Sequence, residues 1–296
     1  MPAVFYAYAV PALFVWLWST GFIGAKYGLP YAEPFTLLLI RMLSTLVLLG
    51  GLVWLMKARW PGWRGVGHTA ITGLLVHGCY LGGVFYAIDG GMPSGIVSLI
   101  VGLQPLVTAL AAVLVLGEAV AVRQWTGLIL GLCGVSLVLA EKLGSPGELG
   151  GFPLWTLMVA LLALAGISLG TVYQKKHGGQ IDLLTGTFIQ YTAASALFAL
   201  GAFTLETREV VWALPLQLSL AWLVLFLSVG AILLLMWLIR RGAASQVASL
   251  FYLVPPVTAV EAFWLFDERL GWLAMLGGVL SIIGVALVVT RPAGRH

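Results

Sequence analysis

The chain has few charged residues. Asp, Glu, Lys and Arg make up only 9% of its 296 residues, against about 25% in a typical soluble domain. Hydrophobic residues make up 61%. Because so few charges cannot cover a water-exposed surface, the composition predicts a protein of the lipid bilayer. The apolar runs are continuous and lack the polar–apolar alternation of a β-barrel, which predicts membrane-spanning helices.

Other sparse or missing features exclude several classes of function. The only cysteines, Cys79 and Cys133, lie inside apolar runs, so we expect neither a disulfide nor a metal site. The dispersed lysines and arginines form no basic tract, although the net charge is +4, and therefore indicate no nucleic-acid partner. No P-loop and no G-x-G-x-x-G motif is present. We expect no catalytic residues and no cofactor, and a non-enzyme is favoured over an intramembrane enzyme.

Ten apolar runs of helix length follow one another, divided by glycine, proline and charged clusters. A helix needs about 20 apolar residues to cross a bilayer. The predicted spans are residues 8–28, 35–56, 68–88, 94–116, 122–140, 153–174, 183–204, 217–239, 245–266 and 272–290. The longest hydrophilic connector lies at the middle of the chain, which predicts two halves, 1–140 and 153–296, joined by a linker at 141–152.

The loops differ in positive charge between the two sides of the predicted bundle. Ten spans put both termini on one side, and that side carries ten lysines and arginines in its loops and ends, against four on the other. The positive-inside rule then places both termini in the cytoplasm and the 141–152 linker in the periplasm. We therefore expect a multi-pass protein of the inner membrane.

The two halves match each other at a nearly constant offset. Ser19, Gly21 and Lys26 recur as Ser168, Gly170 and Lys175, 149 residues later. Further matches follow at offsets of 150 and 151 residues: Ser94, Ser98, Pro105, Glu118, Gly127 and Gly134 recur as Ser245, Ser249, Pro256, Glu268, Gly277 and Gly284. Because each copy holds an odd number of spans, the second must enter the membrane from the opposite face. The predicted fold is an all-α membrane protein, with ten transmembrane helices in two inverted repeats of five, an architecture typical of secondary transporters.

The segment Phe85–Leu139 resembles the repeat unit of the EamA family of the drug/metabolite transporter superfamily. The resemblance rests on Tyr86-Ala87, Ser94, Pro105 and Gly117-Glu118, with Gly127 and Gly134, and on their counterparts in the second half. Within the family the chain is most similar to the YddG-type exporters of aromatic amino acids. The resemblance implies a transporter, with an apolar or aromatic amino acid as its substrate.

Prolines inside two spans indicate kinks. Pro105 lies in span four, and Pro255 and Pro256 lie in span nine. A proline removes one backbone hydrogen bond and frees a carbonyl one turn earlier. The kinks could act as hinges that open a cavity to alternate sides, or they could serve packing alone; their presence in both halves favours hinges.

Polar and aromatic side chains deep in the spans are the candidate binding residues. His77 and Tyr80 share a helix face near the middle of span three. Two roles are open for His77: a contact with the substrate, or a hydrogen bond to a neighbouring helix. The full set of predicted substrate-binding residues is Trp18, Ser19, His77, Tyr80, Ser98, Ser249 and Tyr252. We expect the cavity to be lined by spans one, three, four, six, eight and nine.

Ionisable residues inside the spans are costly, so each is a candidate for function. Glu261 and His77 are candidates for ion coupling, although the position of Glu261 favours an interfacial or paired carboxylate. Arg41 lies about six residues into span two, and we expect it to reach outward or to pair with an acidic residue.

The sequence thus predicts an exporter of aromatic and apolar amino acids that works by alternating access. Its predicted partners are the small-molecule substrate and the lipid bilayer, and a monomer suffices for this architecture. The alternative is an exporter of the same superfamily for lipophilic drugs or other small metabolites.

Overall fold

A computed structural model describes residues 2–117, 121–143, 152–178, 181–231, 234, 250–267 and 271–289. In the first half the α-helices are α1 (Pro2–Gly28), α2 (Pro34–Leu55), α3 (Trp63–Gly73), α4 (Tyr80–Asp89), α5 (Ser94–Val101), α6 (Gln104–Leu116) and α7 (Val122–Leu143). In the second half they are α8 (Leu154–His177), α9 (Leu183–Leu205), α10 (Leu214–Ala221), α11 (Val254–Phe266) and α12 (Trp272–Val289).

The described part of the chain is helical and rich in membrane-length segments. Seven helical segments are long and apolar enough to cross a membrane, and Val254–Phe266 and Trp272–Gly284 are shorter apolar helices. The helix bounds lie within a few residues of most predicted spans. Part of predicted span eight, the first residues of span nine and residues 144–151 of the linker lie outside the described residues.

Two of the membrane-length segments contain a stretch of π-helix. Leu74–Cys79 joins α3 to α4, and Trp222–Ala231 continues α10. A π-helix places one extra residue in a turn, and such turns are frequent at functional sites. His77 lies in the first stretch and Ser228 in the second, so both side chains project from distorted turns.

Spans four and nine are broken at their prolines. Helix α5 ends at Val101 and α6 begins at Gln104, while the short 3₁₀ turn Phe251–Leu253 precedes α11. Pro105 and Pro255 are each the second residue of the helix that follows the break, where a missing N–H leaves no bond unmade. The two breaks meet, because a Cβ placed on Gly102 would lie 2.5 Å from Cγ of Pro255.

Helix contacts repeat between the two halves. Equivalent helices of the two sequence repeats touch each other, since α2 touches α9 and α7 touches α12. The equivalent spans four and nine also touch, through α5 and α11. Other contacts occur as reciprocal pairs, since α8 packs on α6 and the Leu74–Cys79 π-helix, while α1 packs on α11 and the Trp222–Ala231 π-helix. Each half therefore packs against the other through the same set of elements.

The core lies where these helices converge, with Phe14, Phe85 and Phe198 almost fully buried.

At one end of the bundle, the connection before α2 pairs with the connection before α10. The Val211 amide donates to the Tyr31 carbonyl at 2.9 Å. The buried Glu206 carboxylate accepts from the Phe35 and Thr36 amides, both at 2.7 Å, at the first turn of α2, where a negative charge also suits the helix dipole.

Candidate functional site

A cavity of about 310 Å³ lies among α1, α2, α4, α8, α9 and the two π-helical stretches. Most of its wall is apolar, formed by Trp18, Phe22, Val76, Leu81, Val84, Phe85, Ile167 and Leu227. Its polar side chains are Arg41, His77, Tyr80, Gln174, Thr187, Gln190 and Tyr191. No Asp or Glu is among the described residues that line it. The cavity therefore combines an apolar wall with a polar, positively charged region.

Arg41 is the charged member of that polar group. Its side chain is 3% exposed, and its Nε and Nη2 groups donate to the Ser228 hydroxyl at 3.3 and 3.2 Å. The Nη1 group is buried without a hydrogen-bond partner among the residues that the structure describes. This geometry differs from our expectation, since Arg41 neither reaches outward nor pairs with a described acidic residue. The reason is that Arg41 lies on the face of α2 that packs against α9 and the Trp222–Ala231 π-helix. The depth of a residue in a span does not reveal which face of the helix it occupies.

His77 belongs to the same region. Its Nε2 lies 3.1 Å from Oε1 of Gln190, and its ring meets the Tyr191 ring edge-on with centroids 4.5 Å apart. If Nε2 carries the imidazole proton, it donates to the Gln190 carbonyl oxygen. Tyr80, one turn further along, is buried and lines the same cavity.

The structure places the predicted binding residues in different surroundings. Trp18, His77 and Tyr80 line the large cavity. Ser98, Pro105 and Pro255 line a neighbouring cavity of about 30 Å³, which Trp18 and Tyr80 also border. Ser249 and the side chain of Tyr252 lie outside what the structure describes, and Pro256 lies in the first turn of α11. The predicted binding and hinge roles of these residues stay predictions.

The set of spans around the large cavity differs from the expected one. Its described wall comes from spans one, two, three, six, seven and eight. Spans four and nine were expected there, but their described residues border only the smaller cavity. The reason is that the two breaks pack directly against each other at Gly102 and Pro255, which fills the space between them.

Ser19 and Glu261 form a separate polar contact between α1 and α11. The Ser19 hydroxyl is buried, 2.8 Å from the Trp16 carbonyl oxygen and 2.9 Å from Oε1 of Glu261. A hydroxyl has one proton to donate. With an ionised Glu261, Ser19 must divide that proton between two acceptors, whereas a protonated Glu261 carboxyl would donate to Ser19 and let Ser19 donate to Trp16. The other carboxyl oxygen, Oε2, is buried without a partner among the described residues.

The G-x-S-x-G pattern of Gly166–Gly170 has a packing role. This pattern marks a nucleophile only at a strand-to-helix turn, whereas these residues lie inside α8. The Ser168 hydroxyl is buried and lies 3.4 Å from the Gln104 carbonyl oxygen. The two glycines let the π-helical stretch approach closely, because a Cβ on either would collide with Leu75, Val76 or Cys79.

The cavity extends to the connection between α8 and α9. Its lining there includes Gln174 near the end of α8, and Leu183 and Thr187 in the first turns of α9. Close by, the rings of His68 and His177 stack with centroids 4.3 Å apart, and Nδ1 of His68 lies 2.8 Å from the Tyr173 hydroxyl. The described residues include no group of three or more His, Cys, Asp and Glu side chains that could hold a metal ion.

Sequence reasoning missed Gln190, Tyr191 and Ser228, and expected Arg41 to reach outward or to pair with an acidic residue. The sequence did carry one signal for Gln190 and Ser228. Gln190 follows Arg41 at the offset of 149 residues, and Ser228 follows His77 at 151, both within the range of the other repeat matches. The Arg41–Ser228 and Gln190–His77 contacts are therefore counterparts in the two sequence repeats.

Comparisons with known proteins agree with this architecture. A solved structure superposes with a TM-score of 0.63 over 94% of each chain at 21% sequence identity, a likeness of fold alone. The transporter YvbV of Bacillus subtilis (strain 168) is 29% identical over 96% of this chain and 92% of its own. A probable amino-acid metabolite efflux pump of Escherichia coli (strain K12) is 27% identical over 94% and 92%.

The decisive comparison is at the level of the family. The model of the EamA-like transporter family matches the chain twice, over residues 5–140 and 154–290. Those two matches cover nearly the whole sequence. With its helical fold, membrane-length apolar helices and interior cavity, the chain belongs to the EamA-like transporter family.

Proposed function

We propose that this protein is a secondary transporter that exports apolar and aromatic amino acids across the inner membrane by alternating access. The observation that carries the proposal is the cavity of about 310 Å³, whose apolar wall surrounds a compact group of polar side chains. Small-molecule sites typically have volumes of about 300–1,000 Å³, mostly apolar walls and a few polar groups that orient the ligand. An apolar amino acid has the same division, with a polar backbone and an apolar side chain.

The wall is suited to aromatic and aliphatic side chains. Trp18, Phe22 and Phe85 supply aromatic surface, and Leu81 and Ile167 supply aliphatic surface. Aromatic pairs gain about 0.5–1.5 kcal/mol beyond the burial of their area. The polar group around His77 and Tyr80 offers the hydrogen bonds that the amino acid's backbone needs.

The proposed transmembrane architecture is ten spans in two inverted repeats. Two features support it: the matched residues of the two halves and the reciprocal helix contacts between them. In such folds the substrate site lies between the repeats near the middle of the bilayer, and one repeat rocks against the other around it. Arg41, His77 and Gln190 come from both repeats and line the cavity, as that mechanism needs. Ser228, of the second repeat, accepts hydrogen bonds from Arg41.

The end toward which the cavity leads supports export as the proposed direction of transport. It extends toward the α8–α9 connection, beside Lys175 and Lys176. The positive-inside rule assigns that side, with both termini, to the cytoplasm. The opposite end is held together by the Val211–Tyr31 hydrogen bond and by the bonds of Glu206. A cavity that loads from the cytoplasm is the state in which an exporter receives its substrate.

The proposed coupling ion is the proton. The Ser19–Glu261 contact is fully satisfied when the Glu261 carboxyl carries a proton, so this pair between α1 and α11 is suited to bind and release one. His77, at the cavity itself, is the second candidate.

The amino-acid metabolite efflux function in the name of the Escherichia coli relative supports an amino-acid substrate.

The proposal is tested by transport into liposomes that hold the purified protein. Labelled L-phenylalanine and L-tryptophan should exchange against the same unlabelled amino acid inside the vesicle, faster than in protein-free liposomes. An imposed pH gradient should drive net accumulation. Exchange of neither amino acid, with exchange of an apolar drug instead, would favour the lipophilic-drug alternative.

A further inference from the structure

Arg41 carries a buried positive charge that the described protein does not neutralise. The side chain is 3% exposed, and two of its N–H groups donate to the single hydroxyl of Ser228, at 3.2 and 3.3 Å. Its Nη1 group has no partner among the described residues, and no Asp or Glu is found in the described cavity wall that Arg41 lines. A buried charge inside a membrane protein needs an ion partner or a function.

The second repeat shows that the fold does not need an arginine at this position. Gln190 occupies the equivalent place, 149 residues later, and its amide contacts His77, just as Arg41 contacts Ser228. A neutral amide therefore makes the helix-to-helix hydrogen bond adequately. The cation in the first repeat is an addition to the packing, and it makes the pair of sites asymmetric in charge.

We infer that the Arg41 guanidinium binds the carboxylate of the transported molecule, and that the cavity therefore selects organic carboxylates and rejects amines that lack a carboxylate. This inference rests on the proposed function, since it names the group by which a substrate of the cavity is recognised. A guanidinium bonds a carboxylate through two parallel N–H groups. The unpartnered Nη1 supplies one such N–H group, and Nη2, whose contact with Ser228 is long, supplies the other.

The surroundings of Arg41 fit a molecule with a carboxylate at one end and an apolar group at the other. Tyr191 and Gln190 lie at the polar end of the cavity, where they can bond the remaining polar atoms. Trp18 and Phe85 are in the apolar wall. A cationic amine without a carboxylate would meet a guanidinium and no described carboxylate, so its charge would be repelled.

A three-ligand series on the wild-type protein tests the inference without any substitution. The ligands are L-phenylalanine, 3-phenylpropionate, which lacks the ammonium group, and phenethylamine, which lacks the carboxylate. Binding to the purified full chain is measured by isothermal titration calorimetry. We expect phenylalanine and phenylpropionate to bind, and phenethylamine to bind about 10- to 100-fold more weakly than phenylalanine, the loss expected for a hydrogen bond to a charged group.

The matched variant is Arg41→Gln, because glutamine already stands at the equivalent position of the second repeat. It should lower the affinity for both carboxylates about 10- to 100-fold and leave phenethylamine binding no weaker. Arg41→Lys should keep a preference for carboxylates at reduced affinity, since one ammonium replaces a two-pronged donor. Arg64→Gln removes an exposed arginine outside the cavity, and should change none of the three affinities.

The outcomes distinguish a failure of the carboxylate site from a failure of the proposed transport function. Equal binding of phenethylamine and phenylpropionate by the wild type would overturn the Arg41 inference, as would an unchanged carboxylate preference in folded Arg41→Gln. Arg41-dependent binding of phenylpropionate without binding of phenylalanine would support the carboxylate site and reject amino-acid export. Binding of none of the three ligands would overturn both. If Arg41→Gln does not fold, the wild-type series decides.

Discussion

His77 and Tyr80 present different chemistry to the cavity from neighbouring turns of one span. The imidazole lies 3.1 Å from the Gln190 amide oxygen and edge-on to Tyr191, whereas the Tyr80 phenol lies against both the large and the small cavity. Their effects on a substrate can therefore be separated by substitution. A change at His77 disturbs a protein hydrogen bond as well, and a change at Tyr80 removes a single hydroxyl.

We predict that Tyr80→Phe and His77→Ala both weaken the binding of phenylalanine. The loss of one hydrogen bond is worth about 0.5–1.5 kcal/mol, which is a few-fold to about tenfold in affinity. The His77→Ala effect should be at the upper end, because the Gln190 amide is left unpaired. The measurement is calorimetric titration of the purified variants. Tyr27→Phe, at a half-exposed tyrosine that does not line the cavity, is the control. Wild-type affinity in both variants would show that this helix face serves packing only.

Glu261 is the residue at which a proton is expected to bind during transport. We predict that Glu261→Gln abolishes accumulation driven by a pH gradient and keeps phenylalanine exchange without a gradient. The glutamine amide can donate to or accept from the Ser19 hydroxyl, as a carboxyl can in its protonated and ionised forms, but it cannot release a proton. The measurement compares gradient-driven uptake with exchange in the same liposomes. Glu209→Gln changes an exposed carboxylate and serves as the control. Gradient-driven accumulation that survives in Glu261→Gln would rule out this residue and leave His77 as the candidate.

Depth in a span was enough to identify part of the site. Trp18, His77 and Tyr80 were selected because they lie deep in their spans, and the structure places all three around one cavity. Depth could not give the partners of Arg41 and Ser19, which are 187 and 242 residues away in sequence. Those contacts depend on how the two halves pack, and an apolar sequence alone contains little information about helix rotation.

At the scale of the helices, the break in span four leaves no room for a side chain at one glycine. Gly102 stands between α5 and α6, against the pyrrolidine ring of Pro255. The crossing brings together the two segments that were predicted to act as hinges. A side chain at Gly102 would force these segments apart.

We predict that Gly102→Ala lowers the thermal midpoint of the purified protein. The added Cβ would lie 2.5 Å from Cγ of Pro255, and overpacking of this kind costs about 1–3 kcal/mol. The control is Gly51→Ala, at a helical glycine with no heavy atom within 4 Å of the added Cβ. That change should be neutral or stabilising, because alanine favours a helix by about 1 kcal/mol over glycine. Equal thermal midpoints for the two variants would mean that the contact between Gly102 and Pro255 has room for an added methyl group.

Helix positions were largely predictable from hydropathy, but helix geometry was not. The predicted spans 35–56 and 94–116 correspond closely to α2 (Pro34–Leu55) and to α5 with α6 (Ser94–Leu116). The π-helical turns at Leu74–Cys79 and Trp222–Ala231 were not predicted. Their local sequence contains no distinctive signal. The first stretch packs against glycines of α8, a contact between distant segments that the sequence of one span does not reveal.

At the scale of the whole molecule, orientation in the membrane decides whether the cavity loads from the cytoplasm. We predict that both termini and the loop at 57–67 lie in the cytoplasm, because the loops of that side hold ten lysines and arginines against four. Reporter fusions to the C-terminus and within the loop measure this directly. A fusion in the 141–152 linker should report the periplasm. A periplasmic C-terminus would contradict the ten-span arrangement.

The central claim is that one cavity is exposed alternately to the two sides of the membrane. The most direct measurement is the labelling of a single cysteine at Leu81, a partly buried residue of the cavity wall, in a chain whose Cys79 and Cys133 are replaced by alanine. An impermeant thiol reagent is added to one side of the membrane at a time. We predict that the cysteine is labelled from the cytoplasmic side, and also from the periplasmic side during active exchange. Saturating phenylalanine, added at a low temperature that stops exchange, should protect the cysteine from labelling on both sides. Labelling from one side only, under every condition, would contradict alternating access.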